Sequence, residues 1–289
     1  MDQQVIIRSL NFSDIPMMYK AFQSAFSDYT LAFNLTEEKF IRKFIEKLHI
    51  DFDLSAGAFS GDEMVGFIFT GIGNYLGKKT AYNGGSGVIP AYRGKGLTIK
   101  MYQVLLAQFK EMGIKQCVLE VLTENKPAIN AYLKVGFKKS RTLRCFKMEA
   151  GNLNEPKVNS EIVVRQKLVP DWPVYKQFAD IQPSYLDQYF LLEKNMLNET
   201  LLEASFNGEC LGYAIYQQDL GRISQFGVAQ HRRRSGIGAA MMAYMLSHSD
   251  TNYLTILNID EKERGVRRFL KKMGFVNKVN QYEMILNLQ

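Results

Sequence analysis

A strand end, an arginine, a glycine-bearing turn and the start of an amphipathic helix occur twice in this chain, and that duplication constrains the fold most. The first copy is Val88-Ile89-Pro90-Ala91-Tyr92-Arg93-Gly94-Lys95-Gly96-Leu97-Thr98; the second is Val228-Ala229-Gln230-His231-Arg232-Arg233-Arg234-Ser235-Gly236-Ile237-Gly238. Each turn aims backbone N–H groups and the positive end of a helix at one point, which suits a diphosphate. Further landmarks recur in the same order. Ile6-Ile7-Arg8 and Asp14-Ile15-Pro16 match Val163-Val164-Arg165 and Asp171-Trp172-Pro173. Gly61-Asp62-Glu63-Met64-Val65-Gly66-Phe67 matches Asn207-Gly208-Glu209-Cys210-Leu211-Gly212-Tyr213, and Gly136-Phe137 matches Gly274-Phe275. The chain therefore reads as a duplicated domain.

Its 289 residues fit two domains of ordinary size, 1–150 and 161–289, joined by a polar linker over 151–160 that carries Gly, Asn and Pro without an apolar period. Hydrophobic content of 46% with 22% charged residues is that of a soluble globular protein. The net charge of +7 favours an anionic ligand, and Lys/Arg clusters near 93–100 and 232–234 concentrate that effect. Basic and acidic residues otherwise alternate, so no nucleic-acid partner is expected. Cys117, Cys145 and Cys210 are widely spaced and odd in number, which argues against a disulfide framework or a metal cluster. The polar start and the lack of a long apolar run point to a cytoplasmic chain with no membrane partner. Self-association is open, since tandem copies can mimic a dimer or still form one.

In the first half, residues 5–10 read as a strand, a helix follows Asp14, and another follows Thr36 as N-cap with Phe40, Ile41, Phe44, Ile45 and Leu48 on one face. Residues 57–72 read as a hairpin turning at Gly61-Asp62. Leu97, Met101, Leu105, Phe109 and Met112 keep helical spacing up to Gly113. Gln116–Leu122 reads as a buried strand and Pro127–Val135 as a helix ending at Gly136. The Gly-, Asn- and Tyr-rich segment 71–87 is longer than a plain hairpin needs and reads as a loop. The series Tyr19, Phe22, Phe26, Tyr29 and Phe33 reads as core rather than as the wall of an acceptor pocket. The three histidines are scattered and take no catalytic role.

These motifs together resemble the GNAT family of acyl-CoA-dependent N-acetyltransferases, over nearly the whole chain and as two copies in tandem. The family's phosphate motif, Arg/Gln-x-x-Gly-x-Gly/Ala, is matched by Arg93-x-x-Gly96-x-Thr98 with its last position substituted, and in full by Arg233-x-x-Gly236-x-Gly238. Asn125-x-x-Ala128-x-x-x-Tyr132-x-x-x-Gly136-Phe137 matches a second family signature. The resemblance implies an α/β fold, a twisted mixed sheet flanked by helices in each copy. It also implies acetyl-CoA as co-substrate, a small-molecule or peptide amine as acceptor, and no metal.

Carried onto this sequence, the resemblance assigns CoA binding to Val88, Ile89, Arg93, Gly94, Lys95, Gly96, Leu97, Thr98 and Asn125, and the role of general acid to Tyr132. A phenol with a pKa near ~10 can hand a proton to the leaving thiolate. Strand 64–72 lacks the Glu that many members place there, so Glu120 at the end of the next strand is the candidate base. The second copy has Leu270 where the first has Tyr132 and Glu263 where the first has Asn125. The first copy is thus expected to catalyse and the second to pack, to shape the acceptor site or to bind CoA without turnover. Two further readings are a non-catalytic acyl-CoA-binding or regulatory protein and a transferase using an aminoacyl-tRNA donor; the second would not need a pyrophosphate turn.

Overall fold

Alternation between short apolar strands and amphipathic helices lays the first half out in sequence order. The computed structural model describes residues 4–28, 35–153, 161–180 and 182–288. Strand β1 (Val5–Ser9) leads through a turn capped by Asn11 into helix α1 (Ile15–Ala25). Thr36 caps helix α2 (Glu37–Ile41) by accepting from the Lys39 N–H, and a π-helical turn continues it over Arg42–Lys47. Strands β2 (Ala56–Ser60), β3 (Glu63–Tyr75) and β4 (Lys78–Val88) form two successive hairpins. Helix α3 (Leu97–Glu111), strand β5 (Gln116–Leu122) and helix α4 (Lys126–Val135) complete the set.

The second half repeats the plan. After β6 (Lys138–Glu149) come β7 (Val163–Lys167), α5 (Trp172–Phe178), α6 (Tyr189–Lys194), the strands β8 (Thr200–Phe206), β9 (Glu209–Gln217) and β10 (Arg222–Val228), helix α7 (Ile237–His248), β11 (Tyr253–Asp260), α8 (Arg264–Lys272) and β12 (Val276–Asn287). Both halves are mixed: β4 and β5 run parallel, as do β10 and β11, while β1–β2, β2–β3, β3–β4, β7–β8, β8–β9, β9–β10 and β6–β11 are antiparallel. No helix among the described residues is long and apolar enough to cross a membrane.

Two compact units emerge, and their edges differ from the boundaries drawn from sequence. The first comprises Met1–Ser140 with Tyr282–Gln289, the second Arg141–Gln281. In the first, the strand order runs β1-β2-β3-β4-β5 and ends on the last part of β12. In the second, β6 lies beside β11 in the order β6-β11-β10-β9-β8-β7. Residues 141–150, assigned from sequence to the first copy, thus belong to the second unit, and 282–289 belong to the first. Alternating strands carry no local mark of which sheet edge they will join. Residues 154–160 of the expected linker lie outside the described residues.

The first unit has apolar layers on both faces of its sheet. On one, Leu97, Met101, Tyr102, Leu105 and Phe109 of α3 pack on Cys117, Leu119 and Val121 of β5. On the other, Phe22, Phe40, Phe44, Phe67 and Phe69 interlock, with Phe40 and Phe44 rings 4.9 Å apart and Phe67 and Phe69 stacked at 4.4 Å. Each such pair contributes ~0.5–1.5 kcal/mol beyond area burial. Phe22 is buried here as core and the half-buried Phe26 packs against it, with rings 4.7 Å apart; Tyr29 and Phe33 lie outside the described residues. Met112, expected on the buried face of α3, is instead exposed after the helix ends at Glu111.

The segment 71–87 is not a loop. It is a long hairpin turning at Leu76-Gly77, where both residues adopt the left-handed conformation. Its glycines serve packing: a Cβ on Gly84 would collide with Leu48 Cδ2, and one on Gly85 would meet Phe44 Cε1 at 2.9 Å.

Candidate active site

In the first unit, β4 and β5 pair only from Thr80 to Asn83 against Gln116 to Leu119. Beyond that point β4 runs on to Val88 with its ladder on the β3 side alone, after a bulge that inserts Gly84. The two strands part, and the backbone edge of residues 86–88 turned away from β3 faces the gap. Such an edge offers N–H and C=O groups to an extended ligand carrying amides.

The turn that follows is built by backbone conformation. Ile89 N–H donates to Val65 C=O at 3.0 Å and holds the end of β4 in place. Gly94 (φ +76°) and Gly96 (φ +72°) are left-handed, a conformation in which a side chain is strained. Gly96 is the N-cap of α3, and the first bond of its ladder runs from Lys100 N–H to Gly96 C=O at 3.1 Å. The N–H groups of Leu97, Thr98 and Ile99 therefore precede the ladder, at the positive end of the helix dipole.

The side chains expected to bind a ligand directly have other partners. Arg93 donates to Val88 C=O (3.2 Å), to Ala25 C=O (2.9 Å) and to both carboxylate oxygens of Asp28 (2.6 and 2.8 Å). It ties the turn to the end of α1, and the Arg93 hydrogen bonds hold the Asp28 carboxyl below its usual range. Lys95 lies over the Tyr92 ring, with Nζ 4.7 Å from its centroid. Ile89 and Leu97 are core residues, and Val88 packs against that core. Asn125 caps α4 by accepting from Ala128 N–H at 3.2 Å. What the turn can offer an anion is thus mainly backbone.

Tyr132 projects from α4, 7% exposed, with its ring against Tyr102 and Phe137 and its hydroxyl 2.7 Å from Ser86 Oγ on β4. Ser86 lies in the stretch read from sequence as a loop, where no local signal marks it. Glu120 takes the opposite face. Cys117, Leu119 and Val121 alternate into the core that holds Tyr132, which turns Glu120 to the other side of the sheet. There it accepts from the Tyr82 hydroxyl. Burial pushes the Tyr102 phenol and the Cys117 thiol well above their usual ranges, so Cys117 is no nucleophile.

The second unit keeps the frame and replaces the reactive groups. Its β10 and β11 pair only at Arg222–Ile223 with Thr255–Ile256, then part. Arg234 (φ +66°) and Gly236 (φ +95°) repeat the left-handed turn. Arg233 repeats the tether, donating to Val228 C=O at 3.2 Å and pairing with Asp180 at 2.6 Å. Counting along the repeat, Phe226 stands for Ser86, Asn258 for Glu120, Glu263 for Asn125 and Leu270 for Tyr132. Leu270 is fully buried in the core. A cavity of about 1390 Å³ opens here, lined by Val228, Arg233, Gly236, Gly238, Glu263 and Phe269 among others. Burial, then Asp260 and Asp180, raise the Glu263 carboxyl above its ordinary value.

A strand–turn–helix with parting parallel strands, present twice, defines an acyltransferase-type fold, and the comparisons place it. The model of the acetyltransferase (GNAT) family matches residues 15–137 and again 163–275, and the chain belongs to that family. The fold is similar to that of a GCN5-related N-acetyltransferase from Sphaerobacter thermophilus (TM-score 0.75, 15% identity, 99% of this chain and 96% of that one). It is equally similar to a tandem GNAT protein from the clavulanic acid biosynthesis pathway (TM-score 0.76, 12% identity, 99% of both chains). The uncharacterized N-acetyltransferase YjgM of Escherichia coli K12 is 45% identical over 49 residues, 17% of this chain and 29% of its own length. The matched stretch therefore spans less than a third of that relative.

Proposed function

We propose that the first unit moves an acetyl group from acetyl-CoA to a primary amine by direct attack. The observation that carries this reading is Tyr132, held against Ser86 at 2.7 Å beside the unpaired end of β4, with Glu120 on the opposite face of the sheet. The turn from Gly94 to Thr98 fits a pyrophosphate. Each charge-assisted bond from its N–H groups contributes roughly 1.5–3 kcal/mol. The edge of residues 86–88 turned away from β3 suits the amides of the pantetheine arm.

An amine of pKa ~10.4 is neutral in about one molecule per thousand or fewer at pH 7, so a base must take its proton. Glu120 does so, directly or through water. The new C–N bond forms as the C–S bond breaks, and Tyr132 gives its proton to the leaving sulfur. N-acetylated amine and free CoA are the products. The acceptor is a small-molecule or peptide amine.

The cavity of the second unit, with an intact turn but Leu270 and Phe226 in place of the acid pair, favours a second reading for that unit alone: it holds a CoA-type ligand without turnover. The test is thiol release from acetyl-CoA with a panel of polyamine, aminoglycoside, amino-acid and peptide acceptors. Tyr132→Phe is expected to lower kcat by about 10²–10⁴-fold. A Tyr132→Phe enzyme at the wild-type rate overturns the assignment.

A further inference from the structure

One fixed donor sets the orientation of the amide that lies next to the Ser86–Tyr132 pair. The backbone N–H of Gly85 can only donate, and it donates to Asn83 Oδ1 at 3.1 Å. That fixes which end of the Asn83 amide is oxygen. The Nδ2 group then donates to two hydroxyls, Tyr102 Oη at 2.7 Å and Ser86 Oγ at 3.2 Å. A hydroxyl that accepts from an amide keeps its own hydrogen for the next acceptor. Ser86, so engaged, still has its own hydrogen to give, and Tyr132 Oη lies 2.7 Å away.

We infer that Asn83 and Ser86 are positioning residues which make Tyr132 a one-way proton donor: Ser86 feeds a hydrogen bond into the phenol oxygen, so that the phenol's own hydrogen points onward to the leaving group. This rests on the proposed role of Tyr132 as acid. The same bond acts twice. Before transfer it fixes the rotation of the O–H about the C–O bond; after transfer it stabilises the phenolate, since a bond donated to the charged form favours that form. No proton leaves Ser86. The thiolate gains the Tyr132 proton, and the phenolate later regains one from solvent.

The local fold explains why Ser86 can do this. The Gly84 bulge shifts the register of β4, and Ser86 follows it on the strand edge that has left β5. Tyr132 is flanked by the rings of Tyr102 from α3, held in its neutral form by burial, and Phe137. Neither brings a competing charge to the phenol.

The deciding experiment is an NMR titration of the full chain with ¹³Cζ-labelled tyrosine, in which Tyr132→Phe assigns the Tyr132 signal. Ser86→Ala is expected to raise the ionisation midpoint of Tyr132 by roughly one pH unit, a tenfold change. Ser86→Thr keeps a hydroxyl and is expected to stay near the wild-type midpoint, which guards against a general effect of substitution. In thiol release, Ser86→Ala is expected to lower kcat about tenfold with KM for acetyl-CoA unchanged, and to add nothing in a Tyr132→Phe background. An unshifted midpoint in Ser86→Ala, or a loss additive with Tyr132→Phe, overturns the inference while leaving Tyr132 as acid. An impaired Ser86→Ala beside a fully active Tyr132→Phe overturns the acid role itself.

Discussion

Tyr75 donates its hydroxyl proton to the carboxylate of Glu283, 208 positions further along the chain, at 2.6 Å, and both side chains are buried within the first unit. Nearby, Lys78 reaches Asn287 at 3.0 Å, Leu288 N–H donates to Lys115 C=O at 2.9 Å, and Met284 fills the core under α3. The unit that begins the chain is completed by the residues that end it.

Ending the chain at Gln281 should therefore damage the first unit rather than the second. In hydrogen exchange, the amides of Gln116–Leu122 are expected to lose protection while those of β9 and β10 keep it. Unchanged protection of β5 would show that the last strand is dispensable. Tyr75→Phe is milder: it deprives a buried carboxylate of a donor, a loss of roughly 1–3 kcal/mol. Several degrees in the melting temperature of the first unit are expected.

Arg93 and Asp28 should behave as one device. If the arginine acts by tying the turn to α1, Arg93→Ala and Asp28→Ala weaken acetyl-CoA binding by similar factors, about tenfold, and the double variant is little worse than either single one. Calorimetric titration checks this. A direct Arg93–phosphate contact predicts otherwise: Asp28→Ala would leave binding intact or tighten it.

Glu263 makes the second unit sensitive to pH. Its folded value lies above the ordinary carboxyl value because of burial, Asp260 and Asp180. Such a group binds more protons folded than unfolded, so it destabilises the unit at neutral pH; the penalty fades as pH falls through the raised folded value and is gone below the unfolded value of ~4.3. Glu263→Gln is expected to raise the melting temperature of the second unit at pH 7 and to match wild type near pH 3.5. An equal gain at both values would mean that packing, not charge, is responsible.

Local signals in the sequence located most of the elements and less of the site. Thr36 as N-cap, the Gly61-Asp62 turn, Gln116–Leu122 as a buried strand and Gly136 as the stop of α4 all follow from propensity or periodicity acting within a few residues. The destinations of β6 and β12 depend on contacts across more than a hundred residues, and neither strand advertises them. The glycines of 84–87 read as loop, yet they are small because Leu48, Phe44 and Phe67 crowd them. That misreading hid Ser86 and Asn83. Arg93 was legible as part of the turn but not as a tether, because its partner Asp28 lies 65 positions earlier.

The most direct measurement is acetyl-CoA-dependent thiol release by Gly96→Glu and Gly236→Glu variants, assayed with the same amine panel. Each replacement places a carboxylate and a strained left-handed residue at the N-cap of the helix that follows the glycine turn, one per unit. Turnover lost in Gly96→Glu and retained in Gly236→Glu is the predicted result. Turnover retained in Gly96→Glu and lost in Gly236→Glu would move the chemistry to the second unit and contradict the account.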